Sequence, residues 1–290
     1  MRLMIEHETR YRYDLAPVSV IEVLRLTPCN SDSQSIRDWR ITVSGDAPLR
    51  RFEDAFGNVN HTFTTPVGAN EDLVVTATGT VDTSSTNGVI SGTRERLPLP
   101  VFLRETDLTL PSPEIVALGE EARNGASGLL DTAHRLNGLI NERVKFVTGS
   151  TNVATHASDA LIAGEGVCQD LTHIILATAR AVGLPARYVS GYQFASGQAR
   201  DEHAGHAWAE IHIEDLGWVG FDPTAGGSTD DTYVRVAIGL DHFGASPVRG
   251  ATYGGAGETL DVNVTMDPGG RRPGNTGSQS QTQSSQSQSQ

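Results

Sequence analysis

Cysteine is almost missing from these 290 residues: Cys29 and Cys168 are the only two. Two cysteines imply no disulfide framework. Free thiols fit a reducing compartment, where each is a small buried hydrophobe or a working nucleophile, so a cytoplasmic location is expected. Basic charge is also scarce, with 22 Lys and Arg against 35 Asp and Glu and a formal net charge of -13. The longest basic runs are pairs, as at Arg271-Arg272. Phosphate backbones reward clusters of Lys and Arg, so nucleic acid is excluded as a partner. No stretch approaches the roughly 20 apolar residues of a membrane-spanning helix. Glu6, His7 and Glu8 interrupt the apolar start that a secretory signal needs. No membrane partner is expected.

Several chemistries lack their motifs. There is no Gly-x-x-x-x-Gly-Lys-Ser/Thr loop and no Gly-x-Ser-x-Gly elbow, and Gly254-Gly-Ala-Gly257 lacks the strand-turn-helix setting of a dinucleotide site. His203, His206 and His212 are the residues a metallohydrolase would use. No His-Glu-x-x-His helix accompanies them, nor a further sulfur or carboxylate at ligand spacing. Neither a metal nor a cofactor is expected.

What is present divides the chain. Up to about residue 100, Trp39–Val43, Val59–Phe63 and Leu73–Thr78 alternate and are rich in β-branched and aromatic residues. Turn signals at Gly45-Asp46-Ala47-Pro48, Phe56-Gly57-Asn58 and Asn87-Gly88 separate them, which suggests an antiparallel sandwich. A Pro-rich stretch from Leu97 to Pro113 marks the boundary. Ser112-Pro113-Glu114 then reads as an N-cap with Pro at the first helical position. A second helix is expected over about Gly128–Val144. A third, from Cys168, aligns Leu171, Ile175, Ala179 and Val182 and is stopped by Gly183 and Pro185. Strands come next at Ala186–Tyr192, Ala207–Ile213, Gly217–Phe221 and Leu260–Met266. From Thr276 only Gly, Ser, Gln and Thr occur, a composition expected to be disordered.

The chemistry centres on Gly164-Glu-Gly-Val-Cys168. A glycine-containing loop delivers a cysteine to the first residue of a helix, where backbone N–H groups favour a thiolate and could stabilise an oxyanion. A lone cysteine is more often a buried hydrophobe; a histidine and an aspartate further along the chain alter that balance. A thiol nucleophile needs a base, and the base an orienter. His206 begins one strand and Asp222 ends the next. If the connection Glu214-Asp215-Leu216 has three residues, even-numbered positions face even-numbered ones. His206 and Asp222 then share a face, directly opposed or one step diagonal. A connection of two or four residues separates them. Asp170 and His173 lie too close in sequence to align Cys168 and read as helix-start and packing residues. Trp208 and Trp218 read as core or pocket wall.

The segments Gly166-Val-Cys-Gln-Asp170, Gly183–Tyr192, His206-Ala-Trp-Ala-Glu210 and Gly217–Thr224 together resemble the bacterial transglutaminase-like family. The stretch His7–Tyr13 and Asp54-Ala-Phe-Gly-Asn58 resemble its companion β domain. Gly205 stands where a serine is common, and Leu171-Thr172 replace the usual Phe-Ala. The resemblance implies an α+β fold: a papain/transglutaminase-like core over 101–267, an N-terminal antiparallel β-sandwich-like domain over 1–100, and a Ser/Gln-rich tail over 268–290. It further implies a triad with Cys168 as nucleophile, His206 as base and Asp222 as orienter. Such a triad attacks a peptide or protein amide, and water or an amine acceptor resolves the thioester. Turnover is expected to fall on the acid side as His206 takes up a proton. The competing reading is a catalytically silent binding or scaffold module of the same fold.

Overall fold

The computed structural model describes residues 1–66, 72–195, 205–269 and the backbone of 282–283. The N-terminal third is built from β1 (Arg2–Leu15), β2 (Ser19–Thr27), β3 (Gln34–Val43), β4 (Arg50–Glu53), β5 (Val59–Thr65), β6 (Leu73–Thr83) and the short β7 (Val89–Ile90). Period-two alternation is visible in β1, where Leu3, Ile5, His7, Thr9 and Tyr11 are buried in turn. Two antiparallel sheets close on a core of Tyr11, Val20, Leu24, Phe63, Leu73 and Val75.

Helices α1 (Pro113–Asn124) and α2 (Leu129–Arg143) come next, then β8 (Lys145–Phe146), α3 (Ala157–Ala163), β9 (Glu165–Gly166) and α4 (Cys168–Ala181). The expected N-cap is in place, Ser112 Oγ accepting from the Ile115 N–H at 3.4 Å. The chain continues through β10 (Ala186–Gln193), β11 (His206–Ile213), β12 (Gly217–Asp222), β13 (Gly227–Ser228), β14 (Tyr233–Gly239) and α5 (His242–Ala245). Strands β13-β12-β11-β10-β14 form one antiparallel sheet, with β7 added against β12. Every residue of α4 from Asp170 to Arg180 is buried, beyond the single apolar face that its sequence pattern shows. The reason is position: α1, α2 and α3 pack on one side of α4 and strands β10 and β11 on the other.

The chain then returns. Strand β15 (Val248–Tyr253) pairs with β2, and β16 (Ala256–Pro268), which contains the expected Leu260–Met266 strand, pairs with β1 along nearly its whole length. By sequence these residues group with the core of 101–267; their hydrogen bonds are to the N-terminal sheets. A two-residue β17 (Thr282–Gln283) lies along β16. Pro268 ends β16, and apart from Gly269 the rest of the Ser/Gln-rich tail lies outside the described residues.

Strand β14 ends the core sheet, and its outer edge meets two side-chain amides from the N-terminal part. Asn58 accepts from the Ile238 N–H and donates to the Ile238 carbonyl, each at 2.8 Å. Gln34 does the same at Arg235, again at 2.8 Å each way. Each amide supplies the donor and acceptor that a neighbouring strand would, so the edge is satisfied without one.

Candidate active site

The β11–β12 connection has three residues, with Ile213 opposite Gly217 and His212 opposite Trp218. Even therefore faces even, and His206 and Asp222 lie one step diagonal on one face. His206 Nε2 bonds Asp222 Oδ2 at 2.7 Å. Asp222 is fully buried, and its other oxygen accepts from the N–H groups of Thr224 and Ala225 at 2.8 and 3.2 Å. Asn141 of α2 holds that turn through the carbonyls of Pro223 and Thr224. The chain turn after Pro223 thus aims the carboxylate inward and fills its second oxygen with backbone donors.

Cys168 is the first residue of α4, preceded by Val167 as N-cap. The Asp170 and Leu171 N–H groups turn back to the Val167 carbonyl, which leaves those of Cys168 and Gln169 as the orphan donors of a helix start. Asp170 closes the turn: its Oδ2 accepts from the Val167 N–H at 2.8 Å and from Thr151 Oγ1 at 2.6 Å. His173 is buried in packing, its Nε2 accepting from the His242 N–H at 3.1 Å. Both therefore sit as helix-start and packing residues.

Cys168 acts on the His206 imidazole electrostatically, adding to the effect of Asp222. Since Nε2 is committed to Asp222, Nδ1 is the ring nitrogen left for the sulfur. Burial pulls the imidazole's pKa down, but hydrogen bonds and charge from Asp222 and Cys168 outweigh it and raise it to about 10. The carboxyl of Asp222 is likewise pushed up by burial, yet bonding to His206, Tyr233 and Ala225 leaves it below its ordinary value. The imidazole is therefore protonated at neutral pH. This favours an alkaline-side loss, as His206 gives up its proton, over the expected acid-side loss.

Aromatic rings wall the site. Trp208 is buried and lies 6.2 Å from the His206 ring in a stacked orientation, and Tyr233 meets the Trp208 ring edge-on at 5.3 Å. Trp218 belongs to the core, under the Arg187 guanidinium at 3.9 Å. Glu210, two residues beyond Trp208, is buried between Arg187 at 2.5 Å and Arg235 at 2.7 Å and bonds neither His206 nor Asp222. Sequence reasoning missed Tyr233 and Gln193. Tyr233 Oη donates to Asp222 Oδ2 at 2.8 Å, and Gln193 Nε2 donates to Tyr233 Oη at 2.7 Å. No group of three or more potential metal-ligating side chains occurs among the described residues. His203 of the metallohydrolase alternative lies outside them. Among the described residues, no helix is long and apolar enough to cross a membrane.

The sequence pattern of the transglutaminase-like superfamily matches residues 116–223, and that of the bacterial transglutaminase-like N-terminal region matches residues 3–82. An uncharacterized protein of Mycobacterium tuberculosis is 32% identical, with 92% of this chain and 93% of that protein aligned. One from Mycobacterium leprae is 29% identical over 91% and 98%. The fold is similar to a crystal structure from Cytophaga hutchinsonii, of a protein whose name proposes a cysteine protease. Its TM-score is 0.74 at 21% identity, covering 92% of this chain and 90% of that one. The chain belongs to the transglutaminase-like superfamily, with the bacterial N-terminal region in front of its core.

Proposed function

We propose that this protein is a cysteine-dependent amide-bond hydrolase or acyltransferase working through Cys168, His206 and Asp222. The observation that carries the reading is the 2.7 Å bond between His206 Nε2 and Asp222 Oδ2, with the ring's other side left to a cysteine at a helix start. In the proposed reaction the Cys168 sulfur, as thiolate, attacks the carbonyl carbon of a peptide or protein amide. The Cys168 N–H, an orphan donor at the helix start, is the donor proposed for the resulting oxyanion. The His206 imidazolium passes its proton to the departing nitrogen, and the C–N bond breaks to leave a thioester. Water, or an amine, then attacks the thioester, giving up its proton to the imidazole, and the sulfur leaves.

Hydrolysis and transamidation share the first half-reaction. Hydrolysis is slightly favoured, since nothing in the sequence announces a lysine-binding groove. Screening peptide and isopeptide libraries for released ammonia or amine, with and without added amine, identifies the acyl acceptor.

The reading is tested by thiol selectivity and by Cys168→Ala. Burial pushes the Cys29 thiol above its ordinary pKa, so iodoacetamide at neutral pH should label Cys168 far faster than Cys29. Cys168→Ala should abolish turnover with an unchanged circular dichroism spectrum. Equal labelling of both thiols, or activity surviving in the Ala variant, overturns it. The silent-module alternative predicts slow labelling of both.

A further inference from the structure

One oxygen, Asp222 Oδ2, receives two donors: His206 Nε2 at 2.7 Å and the Tyr233 hydroxyl at 2.8 Å. A buried carboxylate oxygen can accept both, but each donor then receives a smaller share of its charge. The Tyr233 hydroxyl could in principle rotate away. Gln193 Nε2 prevents this by donating to Tyr233 Oη at 2.7 Å, so that the phenolic proton is left for Asp222. Gln193 and Tyr233 are directly opposite each other in the pairing of β10 with β14, and the two amide clamps at Arg235 and Ile238 fix the outer edge of β14.

We propose that Tyr233 is a positioning residue of this site: its hydroxyl, oriented by Gln193, shares Asp222 Oδ2 with His206, fixing the carboxylate while limiting how tightly it holds the imidazolium. The inference rests on the function proposed above, and adds a residue that acts through Asp222 without touching the reacting atoms. The other charged groups facing this chain are Cys168 from α4, on the far side of His206, and Asp230, in the turn before β14. Cys168 favours a positive imidazole and burial opposes it; Tyr233, by sharing the Asp222 oxygen, adds to that opposition. A proton held too tightly is donated late to a leaving nitrogen, and moderation of its acidity serves the step in which the C–N bond breaks.

The test is an NMR titration of the histidine rings in the full-length protein, with the His206 signal assigned by its loss in His206→Asn. Tyr233→Phe removes one donor and keeps the ring. The His206 midpoint should rise by about half a unit to one unit, and kcat on any amide substrate should fall by up to about tenfold with KM unchanged. Gln193→Glu is the second variant: the introduced carboxylate draws the phenolic proton away from Asp222, and the midpoint should rise again. A midpoint that stays put or falls in both variants overturns the proposal and leaves Tyr233 as packing. The titration needs no turnover. If Cys168 proves inert the enzyme reading fails alone, whereas an unmoved midpoint in an active enzyme sinks only the role of Tyr233.

Discussion

At the scale of single residues, Cys168, His206 and Asp222 were legible because each sits at a boundary that sequence marks: a glycine-containing loop before a helix, the start of a strand, and the last position before Pro223. Tyr233 and Gln193 carry no such mark. Gln193 ends β10, a strand expected over Ala186–Tyr192, but the strand that begins at Tyr233 is not among those expected, and the placement of β14 beside β10 and the course of the 222–233 turn bring Tyr233 onto Asp222. The charge state was not legible either, since it depends on how completely the site is closed. His206 carries a folded pKa of about 10 against an ordinary 6.5. The stability it contributes is fully present below 6.5 and is lost as pH rises through about 10. Asp222 has the opposite sign: its contribution is present above the ordinary carboxylate range and lost as pH falls through its depressed value. The amide-cleaving kcat/KM should therefore decline on the alkaline side with a midpoint near 10, when the imidazolium can no longer donate. A pH–rate profile checks this, and an alkaline decline centred near 6.5 contradicts it.

At the scale of elements, the meeting of His206 with Asp222 depends on one integer, the length of the β11–β12 connection. Three residues place them on one face, which is the observed register. Helix α4 was legible in extent, Cys168–Ala181 against an expected end at Val182. Its burial on all sides was not, because its surroundings come from α1, α2, α3 and the sheet. The α4 start depends on Asp170, whose one oxygen satisfies both Val167 and Thr151 and so ties the 147–155 loop to the cysteine turn. Asp170→Ala should destabilise the protein by about 0.5–2 kcal/mol, the usual range for losing a helix-start acceptor. Asp170→Asn, which keeps an acceptor, should cost less. Urea unfolding midpoints measure both, and equal losses in the two variants would show that the acceptor is not what matters.

At the scale of the whole molecule, two sequence-legible parts prove to be interlocked. The strand-rich N-terminal region was readable from periodicity and turn residues, and the α+β core from the family resemblance of its motifs. The return of β15 and β16 into the N-terminal sheets was not, because a strand pattern carries no record of its partner. The same holds for the Asn58 and Gln34 clamps, which link the first part of the chain to the strand bearing Tyr233. A buried cluster of Leu3, Ile5, Val81, Tyr192, Val234, Val236, Val264 and Met266 spans both parts. The most direct test is intact-mass spectrometry of the full-length protein, acid-quenched seconds after mixing with p-nitrophenyl acetate, a small ester that acylates activated thiols. The account predicts one acetyl group, mapped by digestion to Cys168, absent from Cys168→Ala and slow to form in His206→Ala. Acetyl groups spread equally over both cysteines, or persisting in Cys168→Ala, would contradict it.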